Sequence, residues 1–275
     1  MIVRFLIFTL ALLAFIAWSE KSSDTYRYIP NYVWGPGEKI TYRAHYGFIT
    51  AGTGEMIIHD DIYEFNGRKC YKLEIIGKSG GLFEFVMHIE DYWGTYFDVE
   101  SIIPHYFYRN LQEGRYRKWE TTDFNHETDT ATVITFDKVT KKIGTLEKFA
   151  VPDNAQDMVG GYYYLRLLDF SKFTKGDTII VDSFFDDTSY NFKILYLGKE
   201  KLNTAIGKIN SIILQPIMPK NKLFDGENSI TVWISDDINK VPLKARANMF
   251  IGAVEIEITE YTAGKRKQRP VKFWE

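Results

Sequence analysis

A two-residue rhythm is what most restricts the folds open to this chain. Over residues 39–48 the apolar side chains Ile40, Tyr42, Ala44 and Tyr46 alternate with Thr41, Arg43 and His45. An extended strand points successive side chains to opposite faces, whereas a helix repeats about every 3.6 residues. This spacing therefore predicts a strand with one buried face. The rhythm recurs along the chain, interrupted by turn residues. Ala51-Gly52-Thr53-Gly54 leads into 55–60, and Asn66-Gly67 joins 61–65 to 69–77 as a tight hairpin. Residues 82–97 read as a long strand with Phe83, Phe85, Met87 and Ile89 on one side. Pro104 breaks the chain before 105–111, Gly114 turns it into 115–124, and 130–136 is a β-branched run. After residue 170 the pattern resumes in 177–186, 190–196, 208–216, 229–236, 242–250 and 253–261. The two halves offer about eight and about six strands.

The one break in this rhythm is 154–170, NAQDMVGGYYYLRLLDF. Tyr163, Leu167 and Phe170 lie at i, i+4 and i+7, with Tyr164 and Leu168 widening the face, so a short helix is predicted over 157–168. Asp157 stands where an N-cap is needed. Gly160-Gly161 weakens helix propensity by about 1 kcal/mol per residue, which suits a close backbone approach. The expected fold is all-β and mainly antiparallel. Its sheets curve into an open barrel or a sandwich, and the two β halves are joined by a helix near 157–168 that plugs or covers the open side.

The N-terminus carries a different signal. Residues 1–4 include Arg4, 5–18 are uncharged and apolar, and Ala17 and Ser19 place small residues before Glu20. The apolar run is shorter than the ~20 residues of a bilayer span and fits a signal peptide, 1–19. Export to the periplasm or outer envelope, or secretion, is expected. A polar leader (20–33), the β-rich domain (34–263) and a basic tail (264–275) follow. The single cysteine, Cys70, leaves an exported chain without an internal disulfide, and its strand position suggests a buried thiol. A net charge of −2 excludes the strongly basic, polyanion-binding class, so no nucleic-acid partner is expected. An aromatic content of 16% accords with half-buried sheet surfaces.

Catalytic patterns fail one by one. Gly77-Lys78-Ser79-Gly80-Gly81 has the letters of a nucleophile elbow, but that elbow needs a helix after its turn, and 82–97 reads as a strand. His45, His59, His88, His105 and His126 form no metal-binding spacing, so neither metal nor cofactor is expected. The carboxylate doublets 60–61, 186–187 and 236–237 sit where predicted strands end and read as turn residues. Arg166, with Tyr163 and Tyr164, remains as the candidate ligand-contacting group. Its long cationic stem would either pair with a strand carboxylate or face a bound anionic group.

Residues 34–42, WGPGEKITY, followed by 47–52, GFITAG, resemble the opening of an exported bacterial family known as domain of unknown function 3108. Asp157 followed by Tyr164-Leu165-Arg166 is similar to that family's central segment. Trp233-Ile234-Ser235-Asp236 followed by Pro242 is similar to its late strand pair. The sequence departs at Gly160, where a small hydroxyl residue is expected. The resemblance spans 34–261 and implies an exported β-rich protein with no catalytic residues to assign. The function expected is a non-enzymatic envelope protein that binds an apolar or amphipathic ligand, such as a lipid or glycan, or another envelope protein, with peripheral membrane contact. The alternative is an envelope hydrolase acting on glycan or lipid.

Overall fold

The computed structural model describes residues 26–137, 139–218 and 226–265. Among these described residues fourteen strands form one antiparallel sheet. They are β1 (Lys39–Tyr46), β2 (Ile49–Phe65), β3 (Arg68–Ser79), β4 (Glu90–Asp98), β5 (Pro104–Glu113), β6 (Tyr116–Asn125), β7 (Thr130–Phe136) and β8 (Ile143–Ala150), then β9 (Thr178–Phe185), β10 (Thr188–Thr204), β11 (Gly207–Pro216), β12 (Ile230–Ser235), β13 (Pro242–Asn248) and β14 (Ala253–Thr262). Among the described residues two α-helices interrupt them, α1 (Phe83–Val86) and α2 (Met158–Leu165). The spatial order is β8-β7-β6-β5-β4-β3-β2-β1-β14-β13-β12-β11-β10-β9. Each half is a meander, and pairing of β1 with β14 fuses them into one sheet. The two expected halves thus share one sheet.

Shifts of register bend the sheet. They include those between Ile58 and Ile62 of β2, Tyr96 and Phe97 of β4, and Tyr196 and Gly198 of β10. Such bulges kink a strand and increase its twist. The edges β8 and β9 do not pair in a ladder, so the sheet is curved but not closed. The segment leading into α2 partly bridges the gap. Gln156 donates its amide N–H to Asp182 O (2.8 Å), and its carbonyl accepts from Phe184 N–H (2.9 Å). Farther along the seam, Arg109 of β5 is buried between the rings of Trp93 and Phe185 and pairs with Glu120 (2.9 Å) and Asp186. Asp186 lies in the β9–β10 turn, so this pair ties the two halves together side chain to side chain.

Because the meanders run antiparallel, the hairpin turns divide between two ends of the sheet. One end holds the β2–β3, β4–β5, β6–β7, β10–β11 and β12–β13 turns, and α2 plugs it. Asp157 caps the helix by accepting from Val159 N–H (2.8 Å) and Gly160 N–H (2.6 Å). A Cβ on Gly160 would stand 2.3 Å from the Phe97 ring, so the helix meets β4 more closely than any other residue permits. Trp34, fully buried, donates its indole N–H to Tyr163 O (3.0 Å) and packs edge-on against Tyr71 and Tyr163.

Three expectations are corrected. Residues 82–97 are not one strand: the one-turn helix α1 precedes β4, and Phe85 and Met87 are exposed rather than sharing a buried face. The segments 55–60 and 61–65 are a single bulged strand, β2. The edge strand β8 was not legible, because nearly all its side chains are exposed and it carries no apolar alternation. The leader also differs from its polar appearance. From Tyr26 onward it packs on the plugged end: Ile29 N–H bonds Glu100 O (2.8 Å), Arg27 reaches Ser101 O (3.1 Å), and Asn31 and Val33 are buried. The segment expected to be a signal peptide (1–19), residues 20–25 and tail residues 266–275 lie outside the described residues.

Candidate functional site

The sequence-predicted residues lie at the plugged end. Arg166, 1% exposed, follows α2 directly. It donates Nη1–H and Nη2–H to the two carboxylate oxygens of Glu38 (2.6 and 2.9 Å) and Nε–H to Asn239 O (3.1 Å). Tyr163 is fully buried beside it, and Tyr164 is half-buried with the Arg27 guanidinium over its ring. Of the two roles the sequence offers Arg166, the geometry supplies the carboxylate partner, Glu38, at the entry to β1. A second charged cluster completes this end. Asp98, buried, accepts from Arg68, from His105 Nε2 (3.0 Å) and from the amides of Glu100 (2.8 Å) and Ser101 (2.7 Å). Burial alone would raise its carboxyl; these donors outweigh burial and hold it well below the usual carboxylate range. Tyr26 of the leader lies over Arg68, 4.3 Å from its guanidinium carbon to the ring centre.

The elbow-like turn forms a Ser–Glu–His chain. Ser79 Oγ donates to Glu84, and Glu84 accepts from His88 Nδ1 through its other oxygen. Nucleophilic catalysis needs the imidazole against the hydroxyl, with the carboxylate behind it. Here the carboxylate stands between. Hydrogen bonds from His88 and Ser79 also hold the Glu84 carboxyl below its usual range, which makes it a poorer base. Ser79 Oγ accepts from Ile89 N–H (2.8 Å), so this hydroxyl braces the turn. Among the described residues no group of three or more His, Cys, Asp or Glu side chains is placed to hold a metal. The cleft between Phe107, Glu120, Phe184 and Asp187 has room for about 10 Å³, on the order of one water.

The opposite end has another character. There the β1–β2, β3–β4, β5–β6 and β13–β14 turns lie side by side. Gly47 N–H bonds Ala253 O (3.3 Å), and Tyr46 Oη–H bonds Ile251 O (2.7 Å), joining the first turn to the last. Gly80 N–H bonds Ala51 O (3.0 Å), and Gly114 N–H bonds His88 O (2.7 Å), linking the others in series. Large apolar side chains crown this row. Phe48 is 97% exposed, Phe85 89%, Val86 80% and Ile251 80%, with Leu82, Phe250 and Tyr116 also exposed. Single exposed apolar residues are ordinary; several on adjoining tips mark a contact surface. Residue-by-residue reading missed this row because a turn has no periodicity, and only strand pairing brings residues 48, 85 and 250 to one end.

A family model described as a protein of unknown function, DUF3108, matches residues 41–259. No curated protein matches the chain. Among solved structures, the crystal structure of a β-barrel-like protein of domain of unknown function DUF1849 from Brucella abortus is similar, with a TM-score of 0.53 at 8% identity, covering 84% of this chain and 99% of that one. A hypothetical protein from Chlamydia trachomatis gives a TM-score of 0.34 at 10% identity, covering 89% of this chain and 94% of that one. At such identity the Brucella likeness shows the β-barrel-like fold alone. With its model matched over most of the strands described above, the chain belongs to the bacterial DUF3108 family of proteins of unknown function.

Proposed function

We propose that this protein is an exported envelope component that works by binding rather than catalysis, and that it makes contact through the apolar hairpin tips. The observation that carries this reading is the row of Phe48, Leu82, Phe85, Val86, Phe250 and Ile251 on adjoining turns at one end. Burying such side chains is favourable by about 1.5–3 kcal/mol each. An apolar or amphipathic ligand, or another envelope component, would supply that burial. The Ser79–Glu84–His88 order weakens the hydrolase alternative, and the N-terminal apolar run supports export.

Photo-crosslinking in the producing cell tests this. A photoreactive amino acid replaces Phe85 or Phe250 at the tips, or Glu127 in the β6–β7 turn of the plugged end. Adducts are expected from positions 85 and 250 and not from 127. Adducts from none of them, or equally from all three, would remove the tips as the working surface. N-terminal sequencing of the exported form is expected to begin at Glu20.

A further inference from the structure

We infer that the apolar tips are a docking face for an anionic lipid bilayer surface, an inference that rests on the tips being the contact surface. The first argument is shape. The apolar side chains stand on separate hairpin tips, with polar residues such as Lys78, Glu90 and Arg246 on the strands just below. A protein interface buries a contiguous patch with polar groups at its rim. Apolar tips standing above a polar shoulder suit insertion into the headgroup region of a bilayer, where their side chains reach acyl carbon.

The second argument is charge. Carboxylates on or beside these tips have partners. Glu84 is held by Ser79 and His88, Glu90 by Lys78 (2.9 Å), and Glu255 by Lys244 (2.7 Å) and Arg246 (2.6 Å). Asp91 and Glu113 face one another across β4 and β5; burial raises both carboxyls, and the neighbouring Asp91 charge raises Glu113 further. Arg115 and Arg117, on the β5–β6 tip, have no carboxylate partner among the described residues. Among the described residues Arg117 bonds the carbonyls of Gly114 (2.7 Å) and Tyr116 (2.8 Å). Tyr116 stands exposed between them. An amphipathic ring flanked by two arginines matches the headgroup level of an anionic leaflet.

The tip that carries Arg115 and Arg117 is contiguous with the apolar row rather than opposite it. Gly114 lies against Met87, so the arginine-bearing tip adjoins the tip that carries Leu82, Phe85 and Val86. Docking would then place the three aromatic tips in the interface and Arg115 and Arg117 at the phosphates. The plugged end, with the leader docked on it, would point away from the membrane.

The test uses the purified full chain with a single environment-sensitive fluorophore on Phe85→Cys, Phe250→Cys or Glu127→Cys. Cys70 is buried and its thiol is pushed up to about 12 by that burial, so it leaves the label to the introduced cysteine. Vesicles of phosphatidylglycerol with phosphatidylethanolamine are compared with phosphatidylcholine vesicles. The local readout separates tip insertion from any binding by the N-terminal apolar segment, which all variants share. Expected are a blue shift, and quenching by nitroxide lipids, at positions 85 and 250 and not at 127. Phe48→Ser and Phe85→Ser are each expected to weaken partitioning roughly tenfold, and Arg115→Gln and Arg117→Gln roughly fivefold each on anionic vesicles. Labels at 85 and 250 that stay in water on both vesicle types overturn the bilayer. Protein adducts from those positions in the cell would then leave the contact surface standing with a protein occupant; failure of both experiments removes the contact surface itself.

Discussion

The two ends of this sheet solve opposite problems. At the plugged end, charges are inside: Arg166 with Glu38 beside the Tyr163 ring, and buried Asp98 with Arg68 and His105 beside Tyr26. At the other end, apolar groups are outside, on Phe48, Phe85 and Phe250. A buried charge costs several kcal/mol unless it is paired, so the plugged end tolerates little change. Exposed apolar tips cost the fold little and are free to serve a contact. The difference teaches that the residues with the most chemistry hold the fold together. The most bland ones are those available to a partner.

The comparison breaks first if Arg166 is not structural. Arg166→Met leaves the Glu38 carboxylate buried without its cation and is expected to destabilise folding by about 3–5 kcal/mol, measured by denaturant unfolding. Pairing it with Glu38→Gln should recover part of that loss. A stable single variant would reopen Arg166 as a ligand contact.

Asp157 sets the next effect. Burial raises its carboxyl to about 6, in spite of the two amides it accepts from. The unfolded carboxyl releases its proton near pH ~3.9, whereas the folded one keeps it until about 6. The native state therefore binds more protons between these values, and stability falls as pH rises through that window, by about 3 kcal/mol. Asp98 has the reverse sign: its stabilisation is complete above the unfolded value and is lost as pH drops toward its depressed folded value. Asp157→Asn keeps the helix cap and should flatten the slope between pH 4 and 6 while leaving the acid limb, as unfolding at a series of pH values would show. A slope unchanged in this variant would place the titration elsewhere.

A smaller loss is expected of Gly160→Ala. Its methyl group would meet the Phe97 ring, at a cost of about 1–3 kcal/mol. Phe97→Leu in the same chain should return some of it, read from the urea midpoint. The smallest effects belong to the tips. Phe48→Ser or Phe85→Ser should move stability by less than about 0.5 kcal/mol while reducing partitioning to vesicles. A large stability loss there would show that the tips pack against something in the folded protein, and the contrast between the ends would fail.

Much of the architecture was legible locally. The alternation of Ile40, Tyr42, Ala44 and Tyr46 did mark β1, Asn66-Gly67 did mark the β2–β3 turn, and Asp157 did mark a helix start, because each signal is carried by neighbours in the chain. Residues 82–97 misled because Phe83, Phe85, Met87 and Ile89 alternate like a strand, yet an exposed tip has no buried face to enforce that period. β8 was silent for a related reason: an edge strand exposed on both faces needs no apolar rhythm.

By itself, then, the sequence determined the element type, the cap and an antiparallel β class, since backbone geometry couples side chains two, three or four residues apart. Only the tertiary structure decided that two meanders fuse through β1 and β14, and that Glu38 takes up Arg166 across 128 positions. Only it gathered Phe48, Phe85 and Phe250 on one end. These pairings join residues far apart in the chain, and which strand lies beside which is settled by the whole sheet at once, not by any one stretch of it.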